Sequence, residues 1–332
     1  EQNRNMSSYD VYGLGNALVD IEYEVDDAFL AANDIAKGHM TLVEAERQRE
    51  LVDILDGLEP RRGSGGSAAN TLIAVSGLGG RAYYSCKVAD DELGRFFVRD
   101  LLAAGVDTNA DQHHGDGDSG RCLVLVTPDA ERTMNTFLGI SGSLSRSNVN
   151  EEALADSSWL YMEGYLCTSD SARAALVEAH GLARDAGVRV AATLSDPSMP
   201  EFFAPQLKEM LGDHVDHLFC NAEEALLWTG EAEEAAAVEA LKDFAGTFAV
   251  TRGGAGSLVW DGSELHELPT EPVKAVDTLG AGDLYAGAYL YALARGLEHR
   301  EAGLLANRAA TRLVTHFGPR LPMETLRELV AA

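Results

Sequence analysis

From Ser158 onward the chain alternates apolar strand-like runs with helical patterns: WLYM, SARAALVEAHGLARDAG, VRVAATL, FFAPQLKEML, HLFCN, AEEALLWTG and FAVTRG. Strands joined through helices pair in parallel, because a helical crossover returns the chain to the same end of the sheet. The alternation therefore predicts βαβ units around a mainly parallel sheet. Beyond it, GSLVWDGSELHEL reads as a hairpin, and the apolar-periodic segments Leu284–Arg295 and Glu301–His316 read as long helices packed on a sheet.

The N-terminal third is mixed, with a strand expected at Val11–Leu14, a helix near Glu44–Leu58 and another beginning at Ser67 after a glycine cluster. RCLVLVTPDAERTMNTFL, starting at Arg121, reads as two strands joined by a Pro-Asp turn, a hairpin outside the βαβ rhythm that we assign to a small lid. GEAEEAAAVEA reads as an exposed helix by its composition. A chain of 332 residues accommodates one large α/β unit with such an appended piece.

The net charge of −27 argues against a nucleic-acid or anionic-membrane partner, since polyphosphate binding over an extended face requires clustered Lys and Arg. A small phosphate ligand remains compatible, provided that backbone dipoles supply locally what the global charge does not. No apolar run approaches the roughly 20 residues of a membrane span. The opening EQNRNMSSYD lacks the order of a secretory signal, and a cytoplasmic location is expected. Cys86, Cys122, Cys167 and Cys220 lie far apart without C-x-x-C pairing, which signals neither a zinc site nor a disulfide framework. His113 and His114, beside GDGDSG, read as a solvated loop.

Three glycine loops compete for a phosphate. Gly13-Leu14-Gly15-Asn16-Ala17-Leu18 lacks the third glycine of a dinucleotide fingerprint, and VDIEYEV after it looks like strand, leaving a pyrophosphate no helix N-terminus. Gly63-Ser64-Gly65-Gly66-Ser67 leads into a helix carrying Asn70, whose amide can donate to and accept from a hydroxyl-rich ligand; a tight turn with close helix packing is the alternative. DTLGAGD, from Asp277 to Asp283, places glycines where a helix begins, so backbone N–H groups can converge on one anion. Asp283 at that helix start is mildly favourable against the dipole in any protein; beside a transferring phosphoryl group it is also a candidate base. No P-loop lysine or H-R-D loop occurs.

With these motifs in order, the chain resembles the ribokinase-type (PfkB) family of carbohydrate and nucleoside kinases over nearly its whole length. D-T-x-G-A-G-D is unbroken, and GSGGSAANTLIAVSGLGG, KVADDELGRFF, Asn221-x-x-Glu224 and the Thr251, Gly253, Gly256 turn are similar to further family elements. The resemblance implies a ribokinase-like α/β three-layer sandwich over residues 8–332, with a mainly parallel central sheet and a small β-sheet lid built from segments near 17–43 and 106–139. It implies Asp283 as catalytic base, with Gly280, Ala281 and Gly282 forming the anion hole. It further implies Asn221 and Glu224 placing magnesium through water, Thr251 and Gly253 near the nucleotide phosphates, and Asn307 in the ATP adenine pocket. Asn221 and Glu224 also suit a helix cap and its capping-box partner, and Thr251 a strand end.

Within the family, YGLGNALVDIEYEVDDAFL and the hairpin are more similar to the adenosine kinase branch. By that likeness Asn16 and Asp20 hold ribose hydroxyls, completed by Gly65, Gly66 and Asn70. Leu18, Met134 and Tyr165 form a surface for a purine, and Arg132 aligns with a lid arginine that reaches a phosphate. A solvated turn residue is the other reading of Arg132, and sheet-end core that of Tyr165. The implied activity is ATP- and Mg²⁺-dependent phosphorylation of a purine nucleoside at its 5′-hydroxyl. A sugar kinase of the same family and a catalytically idle binder are the alternatives. Monovalent-cation dependence and the choice of monomer or homodimer stay open.

Overall fold

The computed structural model describes residues 7–111 and 115–331, so His113 and His114 lie outside the described residues. In chain order the strands are β1 (Tyr9–Leu14), β2 (Leu18–Glu24), β3 (Met40–Leu42), β4 (Arg61–Gly65), β5 (Ala82–Ser85), β6 (Val106–Thr108), β7 (Arg121–Val126), β8 (Arg132–Phe137), β9 (Ser157–Glu163), β10 (Arg189–Thr193), β11 (Val215–Asn221), β12 (Ala245–Thr251), β13 (Ser257–Trp260) and β14 (Leu265–Leu268). A nine-stranded sheet runs β14-β13-β12-β11-β10-β9-β1-β5-β6. From β12 to β6 every pairing is parallel; the expected hairpin at its other edge joins β12, β13 and β14 antiparallel.

The continuous apolar character of these strands follows from burial on both faces. Alternation sends Val11, Tyr161, Ala191, Phe219 and Ala249 to one side, into a core with the helices Ser67–Gly77, Ala281–Ala294 and His299–Val314. Tyr12, Met162, Ala192, Leu218 and Val250 point to the other, against Asp170–Asp185, Ala204–Leu211 and Glu234–Leu241. The result is a three-layer α/β sandwich. Glu234–Leu241 is less exposed than its composition suggests, because Ala237, Val238 and Leu241 form one buried stripe. No helix among the described residues is long and apolar enough to cross a membrane.

A second sheet, β3-β8-β7-β2-β4, stands beyond the C-terminal ends of the parallel strands. The chain enters it directly from β1 through Gly15–Ala17, which is why GLGNALVDIEYEV alternates poorly as one strand: it is two strands in two sheets. The antiparallel β7–β8 hairpin turns through Pro128-Asp129, with Ala130 at φ +65° and the Thr127 hydroxyl donating to Asp129 at 2.6 Å. The sheet departs from the expected segments in two places. β6, inside 106–139, pairs with β5 in the large sheet, whereas β4, outside both segments, pairs with β2. The RRGSG composition of β4 has none of the β-branched residues that mark a strand, and pairing alone makes it one.

Candidate active site

The C-terminal ends of β9, β10, β11 and β12 and the turn after β1 open into a cleft of about 760 Å³, whose opposite wall is the small sheet. Ligands of open α/β sheets bind at this end, where strand ends and helix starts present unpaired backbone groups.

Gly280 caps the helix Ala281–Ala294 with φ +77°, and a Cβ there would come within 2.6 Å of the Pro319 carbonyl oxygen. The Ala281 N–H turns back to the Thr278 carbonyl at 3.3 Å, whereas those of Gly282 and Asp283 have no hydrogen-bond partner among the described residues. Unpaired N–H groups in a first helical turn form an anion site. A Cβ on Gly282 would meet open space, so the backbone is bare at the cleft wall. The Ser67 hydroxyl donates to Asp283 Oδ1 at 2.6 Å, the Asn70 amide to Oδ2 at 3.3 Å, and the Thr71 hydroxyl to its carbonyl at 3.0 Å. Burial pushes the Asp283 carboxyl up to about 6 against the hydrogen bonds from Ser67 and Asn70.

Asp277, at the start of the same motif, accepts the N–H groups of Leu279 at 3.0 Å and Gly318 at 2.8 Å, tying the loop before the helix. Arg132 of β8 reaches it across the cleft, Nε to Oδ2 at 2.7 Å, and also contacts Glu22 Oε2 at 2.7 Å. Arg132 is therefore a buried, ion-paired residue and not a solvated one.

Asn16, Leu18, Asp20, Gly66, Asn70, Met134 and Tyr165 all line the cleft. Gly65 lies behind the wall, with the Asp20 carboxylate directly over it, where a Cβ would approach within 2.4 Å. The Asp20 carboxylate has no hydrogen bond among the described residues, and the Oδ1 of buried Asn70 is also unpartnered. Burial pushes the Asp20 carboxyl up to about 7; Arg320 and Arg132 oppose this, and Asp283 and Glu22 add to it. Unmet polar groups on one wall suit a hydroxyl-bearing ligand. Leu18, Met40, Leu42, Val124, Met134 and Tyr165 supply an apolar surface beside them.

Asn221 caps the helix Ala222–Thr229 and exchanges a full capping box with Glu224: the Glu224 N–H donates to Asn221 Oδ1 at 2.8 Å, and the Asn221 N–H to Glu224 Oε2 at 2.9 Å. Both also line the cleft, and burial pushes the Glu224 carboxyl up to about 7 against the Asn221 N–H. Thr251 lines the cleft, but Gly253, Gly256 and Asn307 are absent from its wall. Gly256, at φ +89°, packs against the Leu268 backbone. Asn307 is buried, donating to the Leu268 carbonyl and accepting from Ser257 Oγ, both at 3.0 Å. Its amide joins a helix to the β13–β14 hairpin.

Sequence reasoning passed over Ser67, which binds Asp283, and Glu163, the last residue of β9. Glu163 also lines the cleft although only 1% of its surface is exposed. An acidic residue closing the apolar run WLYM, at the strand end where ligands gather, was the available signal.

The signature described as pfkB family carbohydrate kinase matches residues 30–326. The chain is similar in structure to a probable sugar kinase from Rhizobium etli CFN 42, with TM-score 0.90, 33% identity and 98% of each chain covered. It is likewise similar to the adenosine kinase from Sinorhizobium meliloti, with TM-score 0.87, 37% identity, and coverage of 97% of this chain and 98% of the other. In sequence it is 26% identical to the adenosine kinase of Schizophyllum commune over 95% of this chain and 97% of that protein.

Proposed function

The chain belongs to the pfkB family of carbohydrate kinases, and we propose that within it the acceptor is a purine nucleoside, adenosine first, phosphorylated by ATP on the 5′-hydroxyl. Membership makes it a phosphotransferase with an alcohol acceptor. The observation that carries the finer reading is the joint placement of three features on one cleft. These are a base candidate at a helix start with open N–H groups, an unpartnered carboxylate at Asp20, and an apolar surface around Leu18, Met134 and Tyr165. A free sugar makes little use of the apolar surface, whereas a nucleobase stacks on it.

In this reading Asp20 accepts the vicinal ribose hydroxyls, with Asn16 and Asn70 beside them. The 5′-hydroxyl then lies toward Asp283, which takes its proton as the oxygen attacks the γ-phosphorus and the bond from that phosphorus to the β–γ bridging oxygen breaks, releasing ADP. The N–H groups of Gly282 and Asp283 stabilise the negative charge on the transferring phosphoryl oxygens. The small sheet is the lid that keeps water from competing with the acceptor. Glu224 and Asn221 fit a hydrated magnesium ion: the carboxylate lines the cleft, and among the described residues its hydrogen bonds come from Asn221. Magnesium, when bound there, neutralises phosphate charge.

The likeness to the Rhizobium etli probable sugar kinase favours a second reading, a sugar kinase with the same machinery. ATP-dependent turnover of adenosine, inosine, ribose, fructose and no acceptor, with Asp283→Asn as control, separates the two. Adenosine turnover abolished in the variant supports the nucleoside; preference for a free sugar overturns it.

A further inference from the structure

Glu163 is a buried carboxylate to which the proposed transfer gives no part. The helix Ser67–Gly77 lacks a side-chain cap of its own, because its N-cap is Gly66 at φ +100°. Glu163 supplies one from β9: its Oε2 accepts the Ala68 N–H at 2.9 Å, while Oε1 stands 3.5 Å from the Asn16 N–H, at the limit of a hydrogen bond. The same helix delivers Ser67 and Asn70 to Asp283, and the same turn delivers Asn16 to the cleft. Gly15 lies over the carboxylate so closely that a Cβ would come within 2.4 Å of Oε2 and 2.8 Å of the Tyr84 hydroxyl. With a cleft open beside it and 1% of its surface exposed, Glu163 is covered by the residues it binds.

We propose that Glu163 is a positioning residue, which locks the Ser67 helix start and the Asn16 turn together and so holds Ser67 and Asn70 against Asp283. The inference rests on Asp283 being the base of the proposed transfer. The titratable groups facing Glu163 are Asp283 from the catalytic helix, Tyr84 and Cys86 from β5 and its end, and Tyr161 and Tyr165 from its own strand and the turn after it; none is a cation. Burial pushes its carboxyl up to about 8, with the Asp283 charge adding and the Ala68 and Asn16 N–H groups opposing. At neutral pH the lock is then a neutral acid, for which glutamine is a close substitute.

The test combines amide hydrogen exchange with kinetics on Glu163→Ala and Glu163→Gln. In Glu163→Ala, exchange at residues 66–70 is expected to accelerate on the order of tenfold or more. Its kcat is expected to fall about 10²-fold, to the same degree on adenosine, 2′-deoxyadenosine and 3′-deoxyadenosine, because the base is displaced for all of them. Glu163→Gln, which keeps an acceptor oxygen for the Ala68 N–H, is expected to restore most of both at pH 7. Unchanged exchange at residues 66–70 overturns the proposal, as does a loss confined to acceptors bearing one particular hydroxyl, which marks direct substrate contact. Should the unaltered chain phosphorylate no nucleoside, the acceptor reading fails while the exchange result still decides the positioning.

Discussion

Arg132 and Asp277 meet across the cleft, Nε to Oδ2 at 2.7 Å, with side chains 8% and 4% exposed, joining the small sheet to the loop that precedes the helix Ala281–Ala294. Removing one partner of a buried pair strands the charge of the other, which costs about 3–5 kcal/mol. Arg132→Met is therefore expected to loosen the small sheet, accelerating amide exchange in β7 and β8 while β9 to β12 stay protected. Uniform exchange across both sheets would remove the pair from this role.

Asp283 must be ionised to take a proton, and its carboxyl lies at about 6. The expected kcat at saturating acceptor falls tenfold per pH unit below about 6, whereas kcat/KM also falls as the Asp20 carboxyl gains its proton through about 7. Asp283→Asn keeps the fold and loses roughly 10²–10⁴ in kcat. A profile flat down to pH 5 argues against Asp283 as the base.

Gly280 and Gly282 are needed for different reasons, so their variants are expected to fail differently. Gly280→Ala combines φ +77° with a Cβ 2.6 Å from Pro319, and a lowered melting temperature is expected. Gly282→Val projects into open space at the cleft wall, so it should melt normally and raise the KM for ATP. An unaltered KM in a folded Gly282→Val protein counts against the anion hole.

The Asp20 carboxyl is raised in the folded chain to about 7 from an ordinary value of 3.8, so folding retains a proton that the unfolded chain releases. The stability this contributes is complete below the ordinary value and is lost as pH rises through about 7. Asp20→Asn is expected to raise the melting temperature of the ligand-free protein more at pH 8 than at pH 5.5, while weakening acceptor binding. An equal gain at both values removes Asp20 as the source. Buried His217 acts in the opposite sense: its pKa is held well below 6.5 by burial, so its contribution falls as pH drops below 6.5. Comparing Asp20→Asn with the unaltered chain at each pH cancels that background.

Glu224→Gln retains an oxygen to accept the Asn221 N–H, so the capping box and the melting temperature should survive. If the carboxylate places magnesium, the Mg²⁺ concentration for half-maximal turnover is expected to rise about tenfold or more, since charge is lost from the cation's shell. A loss of stability with unchanged Mg²⁺ dependence assigns Glu224 to the cap alone.

The parallel core was readable from Ser158 onward because burial on both faces writes itself as uninterrupted apolar runs, as in WLYM and HLFCN. The β7–β8 hairpin and the start of the helix Ala281–Ala294 were readable from turn chemistry at Pro128-Asp129 and Gly280. The helix position of Asn307 fixes only which face it occupies, and its bonds to Ser257 and Leu268 come from the β13–β14 hairpin packed against that face. β4 left no trace, since its strand state comes from pairing with β2 and not from its residues.

Local periodicity and backbone sterics thus set the layers, the helix starts and the place of Asp283 in a first helical turn, because each depends on residues within a few positions of one another. What joins Ser67 to Asp283 across 216 residues, Arg132 to Asp277 and Glu163 to Ala68 is the packing of whole layers. Those pairs carry no periodic signal, because a hydrogen bond between distant elements requires only that two side chains reach one point in space. Burial at that point then moves their pKa values, so the chemistry of the cleft belongs to the folded chain.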